Sequence, residues 1–331
     1  MEMRFASIQA LRATAALLVV AHHLSDHRFV TGAAGVDIFF VVSGFVMGSA
    51  DTKVPPGQFL LKRAIRIAPL YWATTLVLCA GAIAGLFARF SFDGATLAKS
   101  LLFVPYYNAE GQIWPLAISG WTLNAEMLFY VLFAAGLWIG APRTFCAAAL
   151  AGLVIAGAIF APENAPLRFW TSAIMLEFIA GLALAGPIRL AGLGRGLSLI
   201  AVGATGLVAA ELAWHYTETL RPLVWGGPAF LIVCGALAIE RAGRWPRRAL
   251  AALERIGDAS YSLYLTHGFV IALVHRKVGT TITANAMAVP ACLALAFLTY
   301  YGFERPVGRM LNRLARPHPR SALELAATST H

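Results

Sequence analysis

Polar and apolar positions do not alternate along this chain. Long apolar runs follow one another from end to end, separated by short polar connections. A run of about 20 residues matches ~30 Å of bilayer hydrocarbon at helical rise. A chain in lipid must also satisfy its backbone internally, which selects helices. The pattern predicts spans near 8–25, 33–50, 68–88, 120–139, 144–160, 171–187, 197–212, 223–240, 259–275 and 285–303. The expected fold class is all-α, a polytopic integral membrane protein of about ten transmembrane helices. The stretch 97–107, "LAKSLLFVPYY", is too short and interrupted to span, and reads as re-entrant or interfacial. A membrane domain over 1–304 is expected to be followed by a basic cytoplasmic tail over 305–331.

Composition supports this reading. Of 331 residues, 59% are hydrophobic and 13% charged, against about 25% charged in soluble domains. The net charge of +10 does not point to nucleic acid, because the basic residues lie between apolar runs rather than on one soluble face. With ten spans and a cytoplasmic N-terminus, 19 Lys and Arg fall in loops assigned inside and seven outside. The positive-inside rule then places both termini in the cytoplasm. Arg305, Arg309, Arg313, Arg316 and Arg320 recur on one helical face of the tail, suited to anionic lipid headgroups. Cys79, Cys146, Cys234 and Cys292 lie in four different apolar runs and read as core residues. The first 24 residues resemble a signal peptide in length, but Arg12 interrupts the apolar region and His22-His23 stand where small residues prepare cleavage. The segment is expected to be retained.

A charge inside a span costs roughly 2.5–3.5 kcal/mol on insertion scales, so each one needs a reason. Arg12, His22 and His23 lie in the first run, Asp37 in the second, Glu126 in the fourth, Glu177 in the sixth and His267 in the ninth. Arg12 and His23 are close to three full turns apart. They share a helix face about 16 Å apart along the axis, whereas His22 points to another side. That alignment favours His23 over His22 as the lining of a polar path. Asp37 follows small residues that permit close helix approach and calls for a cation or an imidazole. Arg63 and Arg66 share a face at the cytoplasmic edge, and two guanidiniums there suit phosphate oxygens. Ordinary positive-inside anchoring explains the same pair. Pro69 marks the start of the third helix or a kink in it. Glu126 and Tyr130 are i,i+4 neighbours beside Asn124, and Tyr264 and His267 lie three apart on one face. No group of ligands has metal spacing, and no metal is expected.

Five stretches then appear in order: "LRATAALLVVAHHL", "GVDIFFVVSGF", "FLLKRAIRIAPLYW", "WTLNAEMLFY" and "SYSLYLTH". Together they resemble the acyltransferase-3 family of bacterial membrane O-acyltransferases, which includes exopolysaccharide and O-antigen acetylases. Arg12 and His23 match that family's arginine-ten-residues-histidine pattern, and Arg63 and Arg66 its Arg-x-x-Arg pair. Trp121 to Tyr130 matches its Trp-Ser-Leu-x-x-Glu-x-x-Phe-Tyr stretch with Thr122 in the serine position. Ser262 stands where proline is common. Some relatives carry a fused esterase-like domain, and none is expected here.

The resemblance implies an acyltransferase-3-like bundle in the bacterial inner membrane. It implies acyl-coenzyme A, with acetyl-coenzyme A foremost, as a co-substrate rather than a resident cofactor. The acceptor would be a hydroxyl of a cell-envelope or exported glycan or of a lipid-linked saccharide. Arg12, Arg63 and Arg66 would bind the donor. His23 would be the general base, with Asp37 or Glu126 orienting its ring. Trp121, Asn124, Tyr130, Tyr264 and His267 would line the acceptor site or the cavity. No protein nucleophile stands out, which leaves direct transfer and an acyl-enzyme intermediate both open. Two other classes compete. A transporter or flippase would use the buried His, Asp and Glu as a proton relay, but would be favoured by inverted repeats of broken helices, which the sequence does not display. A non-catalytic partner of a glycan synthase would tolerate loss of His23.

Overall fold

The computed structural model describes residues 5–87, 90–186, 190–213 and 219–315, and every regular element among them is helical. In chain order the helices are α1 (Ala6–Leu24), α2 (Gly35–Gly48), α3 (Pro56–Ile83), α4 (Gly94–Leu101), α5 (Trp121–Ile139), α6 (Pro142–Phe160) and α7 (Ala165–Trp170). There follow α8 (Leu176–Leu184), α9 (Leu193–Ala213), α10 (Gly227–Arg241), α11 (Arg247–Asp258), α12 (Ser260–Val278), α13 (Ile282–Thr299) and α14 (Arg305–Leu314). Two π-helical turns, Pro222–Gly226 and Tyr300–Glu304, lead into α10 and α14.

Seven of the described helical segments are long and apolar enough to cross a membrane, rather than the expected ten. The other three elements under the predicted spans fall short for different reasons. Helices α1 and α12 have 19 residues each, but their polar positions dilute their hydropathy. The α8 segment, Ala173–Leu184, is too short. Helix α3 begins well before the predicted span, so Arg63, Arg66 and Pro69 all lie inside one 28-residue helix. Pro69 therefore does not start it. The 97–107 stretch holds only the end of the eight-residue α4 and the irregular chain after it.

The core is built around α1 and α2. Helix α1 packs against α2, α10, α11 and α12. Glu240 of α10 fixes its start by accepting from the backbone N–H groups of Ala6 (2.8 Å) and Ser7 (2.9 Å), two of the donors that a helix N-terminus leaves unpaired. Helix α2 crosses α8 at Gly44 and Gly181. A Cβ on Gly181 would lie 2.1 Å from the Val41 carbonyl oxygen, and one on Gly44 2.3 Å from that of Phe178. Only glycine permits this approach, the small-residue packing of helices in lipid. Helices α6 and α9 instead present Ile155, Ile159, Val202 and Val208 outward, a surface suited to acyl chains. Helix α14 rests on α3 and carries Arg305, Arg309 and Arg313, with Met310 and Leu314 exposed. Arg316 and Arg320 lie outside the described residues, as do Arg4, Arg89 and Arg189.

Candidate active site

Among the described residues, three polar clusters within the apolar bundle hold the candidate site residues. The first surrounds a cavity of ≈ 140 Å³ between α1, α2, α3, α5 and α12, which Arg12, Arg63, Arg66 and Glu126 line together. The expected grouping of the three arginines is thus formed, although they come from two helices far apart in sequence. Arg63 places its guanidinium 5.5 Å from the Phe59 ring centroid, and Arg66 lies 5.8 Å from that of Tyr261. Glu126 accepts from Ser43 Oγ at 2.9 Å and from the Tyr130 hydroxyl, so the i,i+4 pairing on α5 also forms. Tyr130 and Tyr264 line the cavity as expected.

The second cluster sits at the far end of α1. The His23 and His267 ring centroids are 4.9 Å apart, and His27 lies 5.2 Å from His23. His23 Nδ1 is 2.8 Å from the Val19 carbonyl oxygen. A carbonyl only accepts, so Nδ1 carries the proton and a neutral ring presents Nε2 as its lone pair. His22 is held likewise through Nδ1 on the Phe29 carbonyl (2.8 Å), and its Nε2 lies 2.8 Å from His27 Nδ1. Neither Asp37 nor Glu126 orients His23. The carbonyl one turn back does so, and this corrects the expectation of a carboxylate partner. The physical reason is that each carboxylate is already held elsewhere, Glu126 by hydroxyls in the cavity and Asp37 by an arginine.

That arginine defines the third cluster. Arg221 Nε and Nη2 donate to Asp37 Oδ1 (3.1 Å) and Oδ2 (2.8 Å), a forked pair. Asp37 is 0% exposed, Glu177 2% and Arg221 8%, so Asp37 and Arg221 neutralise each other away from water with the Glu177 carboxyl buried nearby. Trp121 lies under the Arg221 guanidinium at 5.6 Å rather than on the cavity wall. Asn124 is buried without lining the cavity, and its Oδ1 has no hydrogen-bond partner among the described residues.

The first and second clusters meet along α12. Tyr264 contacts Thr122 Oγ1 through its hydroxyl at 3.2 Å and packs 5.8 Å from the Phe39 ring. All three line the cavity. Tyr264 lies 6.1 Å from His267, which abuts His23. Sequence reasoning missed Ser43, Arg221, Tyr261, His27 and Glu304. Tyr261 was readable, three residues before Tyr264 on the same helical face. Arg221 was hidden by its place in a polar connection, and Glu304 by its place at the end of an apolar run.

A family model described as an acyltransferase domain matches residues 5–303. The chain belongs to the acyltransferase-3 family. It is a multi-pass membrane acyltransferase, which sets aside the transporter reading. Among its relatives, the exopolysaccharide production protein ExoZ of Rhizobium meliloti is 38% identical over 88% of this chain and 95% of its own length. The acyltransferase MdmB of Streptomyces mycarofaciens is 29% identical over 94% of this chain and 93% of its own. The peptidoglycan O-acetyltransferase OatA of Listeria monocytogenes is 26% identical over 91% of this chain, which covers 55% of that protein. No solved structure matches the chain.

Proposed function

We propose that this acyltransferase moves an acyl group, acetyl foremost, from acyl-coenzyme A to a hydroxyl of a cell-envelope or exported glycan, free or lipid-linked. The observation that carries this is the pairing of a three-arginine cavity with a histidine of fixed tautomer, joined through Tyr264 and His267. Arg12, Arg63 and Arg66 hold the donor's phosphates from the cytoplasmic side of the inner membrane. The pantetheine arm runs along α1 towards His23. Tyr264 lines the cavity and packs 6.1 Å from His267, on the way to His23.

At the far end the acceptor hydroxyl meets His23 Nε2. A sugar hydroxyl is a poor nucleophile until its proton is removed in the transition state, and a neutral imidazole suits that task near pH 7. The hydroxyl proton passes to Nε2 as the oxygen bonds the thioester carbonyl carbon. The carbon–sulfur bond breaks, and the imidazolium returns the proton to the departing thiolate. The Val19 carbonyl keeps Nδ1–H in place throughout. Asp37 has a supporting part through Arg221 and Trp121, and Glu126 shapes the donor cavity with Tyr130. Relatives named for exopolysaccharide production and peptidoglycan O-acetylation support a glycan acceptor. The basic face of α14 meets anionic lipid at the inner leaflet, and both termini are cytoplasmic. Membranes containing the chain, supplied with acetyl-coenzyme A radiolabelled in the acetyl group, should incorporate alkali-labile label into glycan. Absence of label under conditions where the protein is intact would contradict the proposal.

A further inference from the structure

Glu304 closes the π-helical turn Tyr300–Glu304 and is buried, 37 residues beyond His267, the last site candidate legible in the sequence. A π-turn widens the helix, and such turns occur frequently at functional sites. Here it coincides with a carboxylate turned inward from the end of a span. Both of its oxygens are engaged. Arg66 Nη1 donates to Oε1 at 2.6 Å, and Ser262 Oγ donates to Oε2 at 2.6 Å.

The two partners of the ion pair differ in exposure. The Glu304 side chain is 5% exposed and that of Arg66 39%. The carboxylate is therefore the buried anchor and the guanidinium the presented group. A guanidinium has five N–H donors, and Glu304 takes one Nη1 donor, leaving others for a ligand. Tyr261 flanks Arg66 and is itself pinned, its hydroxyl donating to the Ile67 carbonyl at 2.7 Å. Without such an anchor, a long arginine side chain must be ordered at the moment of binding, which lowers affinity.

We infer that Glu304 is a positioning residue, which with Ser262 aims Arg66 at the phosphates of the acyl donor and so couples the π-turn after α13 to donor affinity. This rests on the reading of the arginine cavity as the donor site. It gives the π-turn a role, and it explains a buried carboxylate in a site that must attract anions. Its negative charge costs some attraction but fixes the geometry of one cation.

The test uses the full chain, purified and reconstituted in nanodiscs, with acetyl-coenzyme A as the probe in titration calorimetry and thermal unfolding measured on the same samples. Glu304→Gln keeps the shape, since its amide oxygen can face Arg66 and its NH2 can face Ser262, but it removes the charge. The affinity for acetyl-coenzyme A should fall about tenfold with the unfolding temperature nearly unchanged. A purely structural carboxylate would move the unfolding temperature and leave affinity alone. The double variant Glu304→Gln with Arg66→Gln should bind no more weakly than Arg66→Gln alone, because Glu304 acts only through Arg66. Should Glu304→Gln fail to fold, Ser262→Ala removes one of the two bonds to the anchor and should weaken binding about threefold. Unchanged affinity in the Glu304 variant, or additive losses in the double variant, would overturn the inference. Arg63→Gln separates this from failure of the donor reading. If neither Arg63→Gln nor Arg66→Gln weakens binding, the cavity is not the donor site. If both weaken it and Glu304→Gln does not, only the role of Glu304 falls.

Discussion

Replacing Asp37 with alanine is expected to damage the fold before it damages the chemistry. The carboxylate is 0% exposed and holds Arg221 through two hydrogen bonds of 2.8 and 3.1 Å. Breaking a buried ion pair by removing one partner costs about 3–5 kcal/mol, because the other charge stays behind. Here the loss is softened. The Glu177 carboxyl faces Asp37 and also feels Arg221, so it can take over the pairing. The expected cost of Asp37→Ala therefore lies near the lower end, about 3 kcal/mol. By the scaling for larger domains that corresponds to a fall of roughly 6–12 °C in unfolding temperature. The double variant Asp37→Ala with Glu177→Ala leaves Arg221 uncompensated and should fall further. Adding Arg221→Met to that double variant should recover much of the loss, since no unpaired charge of the three then remains. Thermal unfolding of purified protein, read beside acyl transfer at a temperature where each variant is folded, distinguishes the cases. An Asp37→Ala protein with an unchanged unfolding temperature and no transfer would refute this reasoning and return Asp37 to the chemistry.

Two further outcomes follow from the packing and the charge pattern. Gly181→Val should prevent stable insertion or folding, because its first side-chain carbon would already lie 2.1 Å from the Val41 carbonyl oxygen; protease resistance of the inserted protein checks this, and a resistant variant would contradict the close crossing of α2 and α8. Cysteines placed singly at the exposed positions 26 and 28 should react with an impermeant thiol reagent from outside the cell, while cysteines at 53–58 should react only after the inner face is opened; the reverse pattern would place Arg63 and Arg66 on a side that lacks coenzyme A.

Much of the bundle is legible in the sequence because lipid imposes a simple rule, that an apolar run becomes a helix. Elements lie under all ten predicted spans, but only seven meet the requirements of both length and hydropathy. The shortfall lies in α1 and α12, whose polar residues belong to the site, and in α8, which is short where it crosses α2. Along single helices the site was also legible. The Arg12–His23 spacing and the Glu126–Tyr130 pair are properties of one helix each, and periodicity places them. Pairings between helices were not. Asp37 was expected beside an imidazole or a cation, and nothing in its own neighbourhood selects Arg221, 184 residues away. Glu304 reaches Arg66 through a π-turn that no periodicity signals. The Val19 carbonyl that fixes His23 is backbone, and residue identity carries no sign of it.

The most direct measurement is the O-acyl content of envelope glycan, read by NMR, in cells lacking the gene and complemented with either the unaltered protein or His23→Ala at matched levels in the membrane. General-base catalysis contributes about 10²–10⁴-fold, so the His23 variant should leave glycan acylation near that of the uncomplemented cells, while His22→Ala retains much of it. Near-normal acylation by the His23→Ala protein would contradict the assignment of His23 as the base.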